Sequence, residues 1–442
     1  MVQAAEVAEK VRLAGVVGAG GAGFPTHLKL TNRAEVVIAN GAECEPLVHV
    51  DQELMIEQAP ELMRGLEATV QAAGADRAVI GIKQRYTKAI ATVTAALPPG
   101  GAYKVQELGN FYPAGDEFVL VYDVLGRVIP EGGLPLQVGA MVQNIETLIN
   151  VAHALDGVPV TQKYITVQGE VPHPLTVRVP VGITMREVID LAGGSQVADP
   201  VVMVGGAMTG SVAGSLDDPV TKTTKMLLVL PRDHYVSNLR LQARSHFVRQ
   251  ATSSCDQCFM CTDFCPRHAL GHAIEPHKLI LMLGAGLPVT DPQLAGAFLC
   301  CECRTCNYIC PVHLKPGNIA ISVKRDLQKA GLKNPYHRET EPDPFRDLRR
   351  VPILRLIARL QLSRYDLPAP LTELAGANFR RVRLPLKQHV GAPARPTVKV
   401  GDRVQVGDVV ADVAEGVMGA RVHASIAGTV VEVSDAVVID AS

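Results

Sequence analysis

The 442-residue chain has no excess of either charge: 43 Lys and Arg stand against 44 Asp and Glu, a formal net charge of −1. No basic field therefore argues for nucleic acid or for an anionic membrane surface as partner. Long apolar runs are absent as well. The longest, "LILMLGAGLPV" from Leu279 to Val289, is far shorter than the roughly 20 residues a bilayer-spanning helix needs, so no membrane span is expected. The start "MVQAAEVAEK" lacks the charged-then-apolar layout of a secretory leader. A cytosolic location, or a compartment loaded from the cytosol, is expected. In that setting ten cysteines are not a disulfide framework.

Nine of those ten cysteines lie between Cys255 and Cys310, and the tenth is Cys44. "CDQCFMCTDFCP" supplies Cys255, Cys258, Cys261 and Cys265, and "CCECRTCNYICP" supplies Cys300, Cys303, Cys306 and Cys310. Both runs read C-x2-C-x2-C-x3-C-P. In the bacterial ferredoxin pattern, three close cysteines wrap one [4Fe–4S] cluster and the fourth ligates the other. The spacing assigns Cys255, Cys258, Cys261 and Cys310 to one cluster, and Cys300, Cys303, Cys306 and Cys265 to the second. Zinc sites use separated C-x2–4-C pairs and do not produce this doubled run. Cys301 is out of register and is expected to be a spare buried thiol. The 34 residues between Cys265 and Cys300 exceed the gap of the smallest ferredoxins. They read as mostly helical, with Pro276 near a helix start and Gly284 near its end.

The remaining pattern predicts a multidomain α/β protein. Residues 60–125 alternate helix and strand: a helix from Pro60 to Gly74, a strand "RAVIGI", a helix "RYTKAIATVTAAL" and a strand "YKVQEL". This is the layering of a parallel sheet. Residues 160–235 read as two strands, a helix and further strands, a β-grasp pattern. Residues 236–330 form the helical cluster module. Residues 331–380 are a Pro- and Arg-rich connector, either a linker or a surface lever. Residues 381–442 hold two similar strand–turn–strand halves, the pattern of a barrel-sandwich hybrid. Biotinyl and lipoyl carriers share that architecture, but no lysine follows Lys399, so covalent biotin or lipoate is not expected.

"GVVGAGGAGFPTH", Gly15 to His27, holds five glycines in its first nine positions. The formal G-x-G-x-x-G at Gly18, Gly20 and Gly23 lacks the context of a dinucleotide fingerprint, which needs a strand before it and a helix after it. Here a helical pattern at Ala4, Val7, Ala8 and Val11 precedes it, stopped by Gly15, and Phe24-Pro25 disfavours the α region just behind it. The loop is expected to join a helix to an extended segment. It is either a surface turn or a place where backbone approaches a flat or phosphorylated ligand.

Several stretches together carry a resemblance. "GAGGAGFPTHLK", "NGAECEP", "YPAGDE" and "QNIETL" resemble the four flavin segments of the flavoprotein subunit of respiratory complex I. With the β-grasp segment and the ferredoxin runs behind them, the chain resembles the RnfC subunits of Rnf electron-transport complexes. It resembles still more closely the cobalamin reductases of propanediol-utilisation microcompartments. The segment from Leu384 stands at the N-terminus in RnfC subunits and at the C-terminus here. The resemblance implies a Rossmann-like FMN- and NADH-binding domain over residues 1–155. Gly18, Gly20, Gly21 and Gly23 would admit the flavin and Lys29 would supply it with positive charge. Asn40, Glu43, Cys44, Glu117, Asn144 and Thr147 match the other flavin segments. Phe24 would stack on the nicotinamide and Glu45 would hold nucleotide hydroxyls. Two departures, Ala19 for an arginine and Asp116 for a glutamate, leave room for reversibly bound FMN. The implied activity is NADH-dependent reduction of cobalamin through FMN and two [4Fe–4S] clusters. The implied partners are a corrinoid adenosyltransferase and a microcompartment shell protein, and the implied location is inside a bacterial microcompartment. Two other readings stay open: a component of a membrane NADH:ferredoxin complex, and a redox-linked docking protein. No residue stands out as a general acid or base.

Overall fold

The computed structural model describes residues 2–288, 290–373 and 378–441. Val289 at the end of the apolar run, residues 374–377 of the connector and Ser442 lie outside the described residues.

The chain opens with the helix Val2–Leu13. Gly15 ends it in a left-handed conformation, φ +65°. Four parallel strands follow, in the spatial order Tyr103–Leu108, Arg77–Lys83, Val36–Gly41, Ala140–Asn144. In chain order that is 3-2-1-4, the Rossmann-like order, with its switch point between Val36–Gly41 and Ala140–Asn144. The two inner strands are almost wholly buried, as expected of a parallel sheet covered on both faces. Helix Ala59–Ala73 ends at left-handed Gly74 and packs on helix Ile145–Leu155. Gly65 permits that approach, because a Cβ there would lie 1.8 Å from the Leu148 carbonyl oxygen.

The segment after the glycine loop differs from its sequence expectation. Val17 bridges to Pro25, and helix Thr26–Leu30 begins immediately behind with Pro25 as its N-cap residue. The proline restricts only Phe24, so the extended stretch is two residues long and a helix does follow the glycines.

A second, mixed sheet pairs Gln162–Gly169 antiparallel to Leu175–Pro180 and parallel to Met226–Pro231, which runs antiparallel to Pro200–Val204. Helix Met185–Leu191 starts at a Thr184/Glu187 capping box. Helices Arg244–Ser254, Pro276–Gly284 and Pro316–Lys329 then frame the two cysteine runs. The C-terminal strands form two small sheets that share one apolar core with the mixed sheet, through Val382, Leu384, Val410 and Ile439 against Val177 and Val229.

The connector is a strap. Arg338 pairs with buried Glu131 at 2.9 Å, and Arg346 and Arg350 share Asp123 at 2.6 and 3.1 Å. Val351–Pro352 pairs with Phe111–Tyr112, and helix Ile353–Arg359 sinks Ile353, Leu356 and Ile357 into the main core. Leu371–Thr372 then adds a parallel edge to Leu175–Pro180. The connector thus ties the parallel sheet to the mixed sheet. Among the described residues, no helix is long and apolar enough to cross a membrane.

Candidate functional site

Parallel α/β sheets place ligands beyond the carboxyl ends of their strands, at the switch point. A cavity of about 680 Å³ lies there, within the usual range for small-molecule sites. One wall comes from the ends of the two switch-point strands: Asn40, Ala42, Glu43, Cys44, Glu45 and Asn144. Gly20 and Gly21 form a second wall, the mixed-sheet loops with Thr209 and Lys225 a third, and Cys301 and Cys303 a fourth.

Of the residues matched to flavin and nucleotide segments, Gly20, Gly21, Asn40, Glu43, Cys44, Glu45 and Asn144 meet at this cavity. Gly18, Gly23, Phe24, Lys29, Glu117 and Thr147 are not among its lining residues and act behind it. The Gly18 N–H donates to the Phe24 carbonyl at 2.9 Å and closes the loop. The Ala19 N–H donates to Thr147 Oγ1 at 2.9 Å and ties the loop to the neighbouring helix. Lys29 is committed elsewhere: its Nζ donates to the Val142 carbonyl at 3.1 Å and lies 3.6 Å from Glu117. Gly23, φ +68°, packs against His389 and against Thr223, itself a cavity-wall residue.

Sequence reasoning missed the cation of the site. Lys225 Nζ sits 2.6 Å from Glu43 and 2.6 Å from Asp51, and Asn144 Nδ2 donates to Asp51 at 2.9 Å. Burial pushes the Glu43 carboxyl up, but the Lys225 charge overcomes it and holds Glu43 below its ordinary value. Burial pushes Asp51 up. Glu45 lines the cavity, yet its carboxylate already accepts from the Met208 and Thr209 N–H groups and from Thr209 Oγ1. Burial lifts its pKa to about 7. No local pattern flags Lys225 or Asp51, because 174 residues separate them.

The cavity fits a flavin on three observations. It is large and polar-rimmed. Gly21, φ +132°, leaves open space where a side chain would stand. Asp51 Oδ1 is buried without a partner, a cost normally met by a bound group.

The two cysteine runs fold as copies of one loop. Gln257 and Phe259 in the first, and Glu302 and Arg304 in the second, have φ between 52° and 64°. Left-handed backbone at non-glycine residues is uncommon and concentrates at ligand-holding sites. A short helix follows each loop at once, Met260–Asp263 and Thr305–Ile309. Cys255, Cys258 and Cys261 share one recess with Cys310 from the other run. Cys265 packs with Cys300, and both lie close enough to Cys306 to interact electrostatically. Cys301 is not mere filler, since it stands in the cavity wall beside Cys303.

The two halves are also bolted together. Tyr112 Oη donates to the Cys303 carbonyl at 2.8 Å. Asp116 caps helix Glu117–Leu125 and pairs with buried Arg267 at 3.0 Å. Arg304 donates to the Met208 carbonyl at 2.7 Å.

Fold and site together define a class: an electron-transfer flavoprotein with an iron–sulfur module against its flavin domain. Comparison with known proteins agrees. The Nuo51 FMN-binding domain family matches residues 11–153, the 4Fe-4S dicluster domain residues 254–315, and the RnfC barrel sandwich hybrid domain residues 373–442. The chain is 44% identical to cobalamin reductase PduS of Salmonella typhimurium (strain LT2) over 97% of this chain and 95% of that protein. It is 42% identical to cobalamin reductase PduS of Citrobacter freundii over 97% and 95%. The chain belongs to the cobalamin reductase PduS family. A component of the Na(+)-translocating ferredoxin:NAD(+) oxidoreductase complex of Acetobacterium woodii is 33% identical over 58% of this chain and 56% of that component. Among solved structures, a chain of the NAD+-reducing [NiFe]-hydrogenase in its H2-reduced state superposes with a TM-score of 0.50 at 22% identity, covering 75% of this chain and 64% of that one. That last match is a likeness of fold.

Proposed function

We propose that the chain is an NADH-dependent cobalamin reductase, holding FMN in the switch-point cavity and two [4Fe–4S] clusters in the interleaved cysteine sets. Bound FMN exchanges two electrons with a nicotinamide and single electrons with iron–sulfur centres. The chain's own residues position and insulate. Gly20 and Gly21 let backbone approach the ring system, and Asn40, Glu43, Cys44 and Asn144 surround it. Lys225 balances the charge of Glu43 and Asp51. Gly18, Gly23, Phe24, Lys29, Glu117 and Thr147 fix the shape of the loop. Glu45 faces the nucleotide while anchored to Thr209.

The observation that carries this reading is one cavity walled by the glycine loop on one side and by Cys303, a cluster ligand, on another. Module boundaries follow at 1–155, 160–235 (β-grasp), 236–330, a strap over 331–380, and 381–442. Relatives that match over nearly the full length favour this reading over the membrane-complex component. A corrinoid adenosyltransferase and a shell protein are the fitting partners, in a cytoplasmic microcompartment. The test is anaerobic NADH oxidation with cob(III)alamin as acceptor. NADH turnover with ferricyanide but none with cob(III)alamin would remove cobalamin from the proposal.

A further inference from the structure

The two cysteine sets are not equivalent in place. Cys303, with Cys301 beside it, lines the switch-point cavity, and Tyr112 of the flavin-domain side bonds its carbonyl. The other set lines a separate recess with no residue in common with the cavity. Of the eight ligand cysteines, Cys258 of that set is the one exposed to solvent. Its rim is apolar: Phe259 is 52% exposed and Val312 40%. Among the recess residues Asp256 is the one carboxylate, and there is no lysine or arginine.

We propose that Cys265, Cys300, Cys303 and Cys306 hold the entry centre, and that Cys255, Cys258, Cys261 and Cys310 hold the exit centre. The exit centre delivers electrons to a corrinoid seated on Cys258, Phe259 and Val312. The inference rests on the flavin reading of the cavity and deepens it. The acceptor follows from charge. A nearly uncharged apolar rim suits the amide-edged, neutral face of a corrin, whereas a charged protein carrier needs complementary charges that this rim lacks. The exchange balances as NADH + 2 cob(III)alamin → NAD+ + H+ + 2 cob(II)alamin. One hydride leaves the nicotinamide and each cobalt gains one electron.

The order is tested on full-length, anaerobically purified Cys258→Ala and Cys303→Ala proteins by EPR, with NADH or dithionite as reductant. In Cys258→Ala the surviving signal should still develop with NADH. In Cys303→Ala it should appear with dithionite and not with NADH. The opposite pattern overturns the order. If either variant loses both signals, freeze-quenched EPR of wild-type protein mixed with NADH decides: the first signal to develop should be the one that Phe259→Asp leaves unshifted, and the reverse overturns the order. Phe259→Asp and Val312→Asp should slow reoxidation of the pre-reduced clusters by cob(III)alamin at least tenfold in stopped flow, with flavin content and NADH-driven reduction retained. Reoxidation within twofold of wild type overturns the exit face. Failure of NADH to reduce either wild-type cluster is a different result: it removes the flavin reading, and the entry assignment with it. If wild-type clusters reduce with NADH but are not reoxidised by cob(III)alamin, the corrinoid is overturned while the order still stands on the EPR pattern.

Discussion

Lys225→Met tests whether the buried triad organises the cavity. Lys225 Nζ is 2.6 Å from each of two carboxylates. At an effective dielectric near 20 each contact carries about 6 kcal/mol of gross attraction, largely offset by desolvating three charges. Removing one partner of a buried pair costs roughly 3–5 kcal/mol, because the remaining charge is left uncompensated. Here two negative charges remain, and Asp51 is 2% exposed. The variant has one escape, which is to take up a proton. For a carboxyl with a solution pKa of about 3.9, neutralisation at pH 7 costs about 4 kcal/mol, so the deficit is capped near that figure.

The cap sets a pH signature. In the variant, the shared proton raises one folded-state pKa above its unfolded value. Such a group contributes stability that is present below the unfolded pKa and lost as pH rises through the folded one. The deficit against wild type should therefore shrink by about 1.4 kcal/mol per pH unit on acidification, or about 2 kcal/mol between pH 7 and 5.5. The chain has no tryptophan, so urea unfolding is best followed by far-UV circular dichroism, with flavin content measured alongside. Lys225→Met/Asp51→Asn should recover part of the loss by removing one of the two charges. A Lys225→Met protein within 1 kcal/mol of wild type at pH 7, or a deficit that does not change down to pH 5.5, refutes the reasoning.

The remaining predictions concern single residues and the cluster content. Gly20→Val should lose FMN and keep both clusters, because its Cβ position lies 3.4 Å from Asn144 at the cavity edge and its backbone is not left-handed. Gly23→Val should also loosen the C-terminal module in limited proteolysis, since its Cβ meets Thr223 at 2.9 Å and His389 at 3.1 Å; an intact module would count against that packing. Iron and sulfide should each approach about eight per chain, and Cys265→Ser should perturb the same EPR signal as Cys300→Ser; matching Cys258→Ser instead would break the interleaving. Glu45, lifted to about 7 by burial, has a folded pKa above its unfolded one. Its contribution is present below about 4.3 and lost as pH rises to about 7, so wild type should weaken from pH 5 to 8 more than Glu45→Gln does; equal slopes would show that Glu45 does not titrate there.

What was legible in the sequence was whatever repeats within a few residues. The period of Leu62, Leu66 and Val70 and the stop at Gly74 reflect one local geometry, and the helix and the strand behind it stand where their patterns put them. The connector was not legible, because its arginines acquire meaning only against Asp123 and Glu131, more than 200 residues away. The same holds for Lys225 with Asp51. Lys29 illustrates the converse. Its type and place match a flavin segment, but a glutamate and a carbonyl within reach claim its charge.

The placement of the last module follows from the same distinction between local and distant contacts. The Val390 N–H donates to the Gly23 carbonyl at 3.0 Å, so the C-terminal strands brace the back of the glycine loop. Lys222 Nζ, from the mixed-sheet module, donates to the Gly15 carbonyl and to the Arg421 carbonyl, both at 2.7 Å. One side chain thereby joins three modules at the base of the loop. Burial with no carboxylate partner drops its pKa to about 7, a cost that makes sense only if the junction itself is what the residue secures. The docking surface is built from the glycine loop and the mixed sheet, and no contact in it depends on which end of the chain the module hangs from. A module held this way needs only a tether that reaches the loop. In this chain the arginine-rich strap, pinned to Asp123 and Glu131 on its way, is that tether.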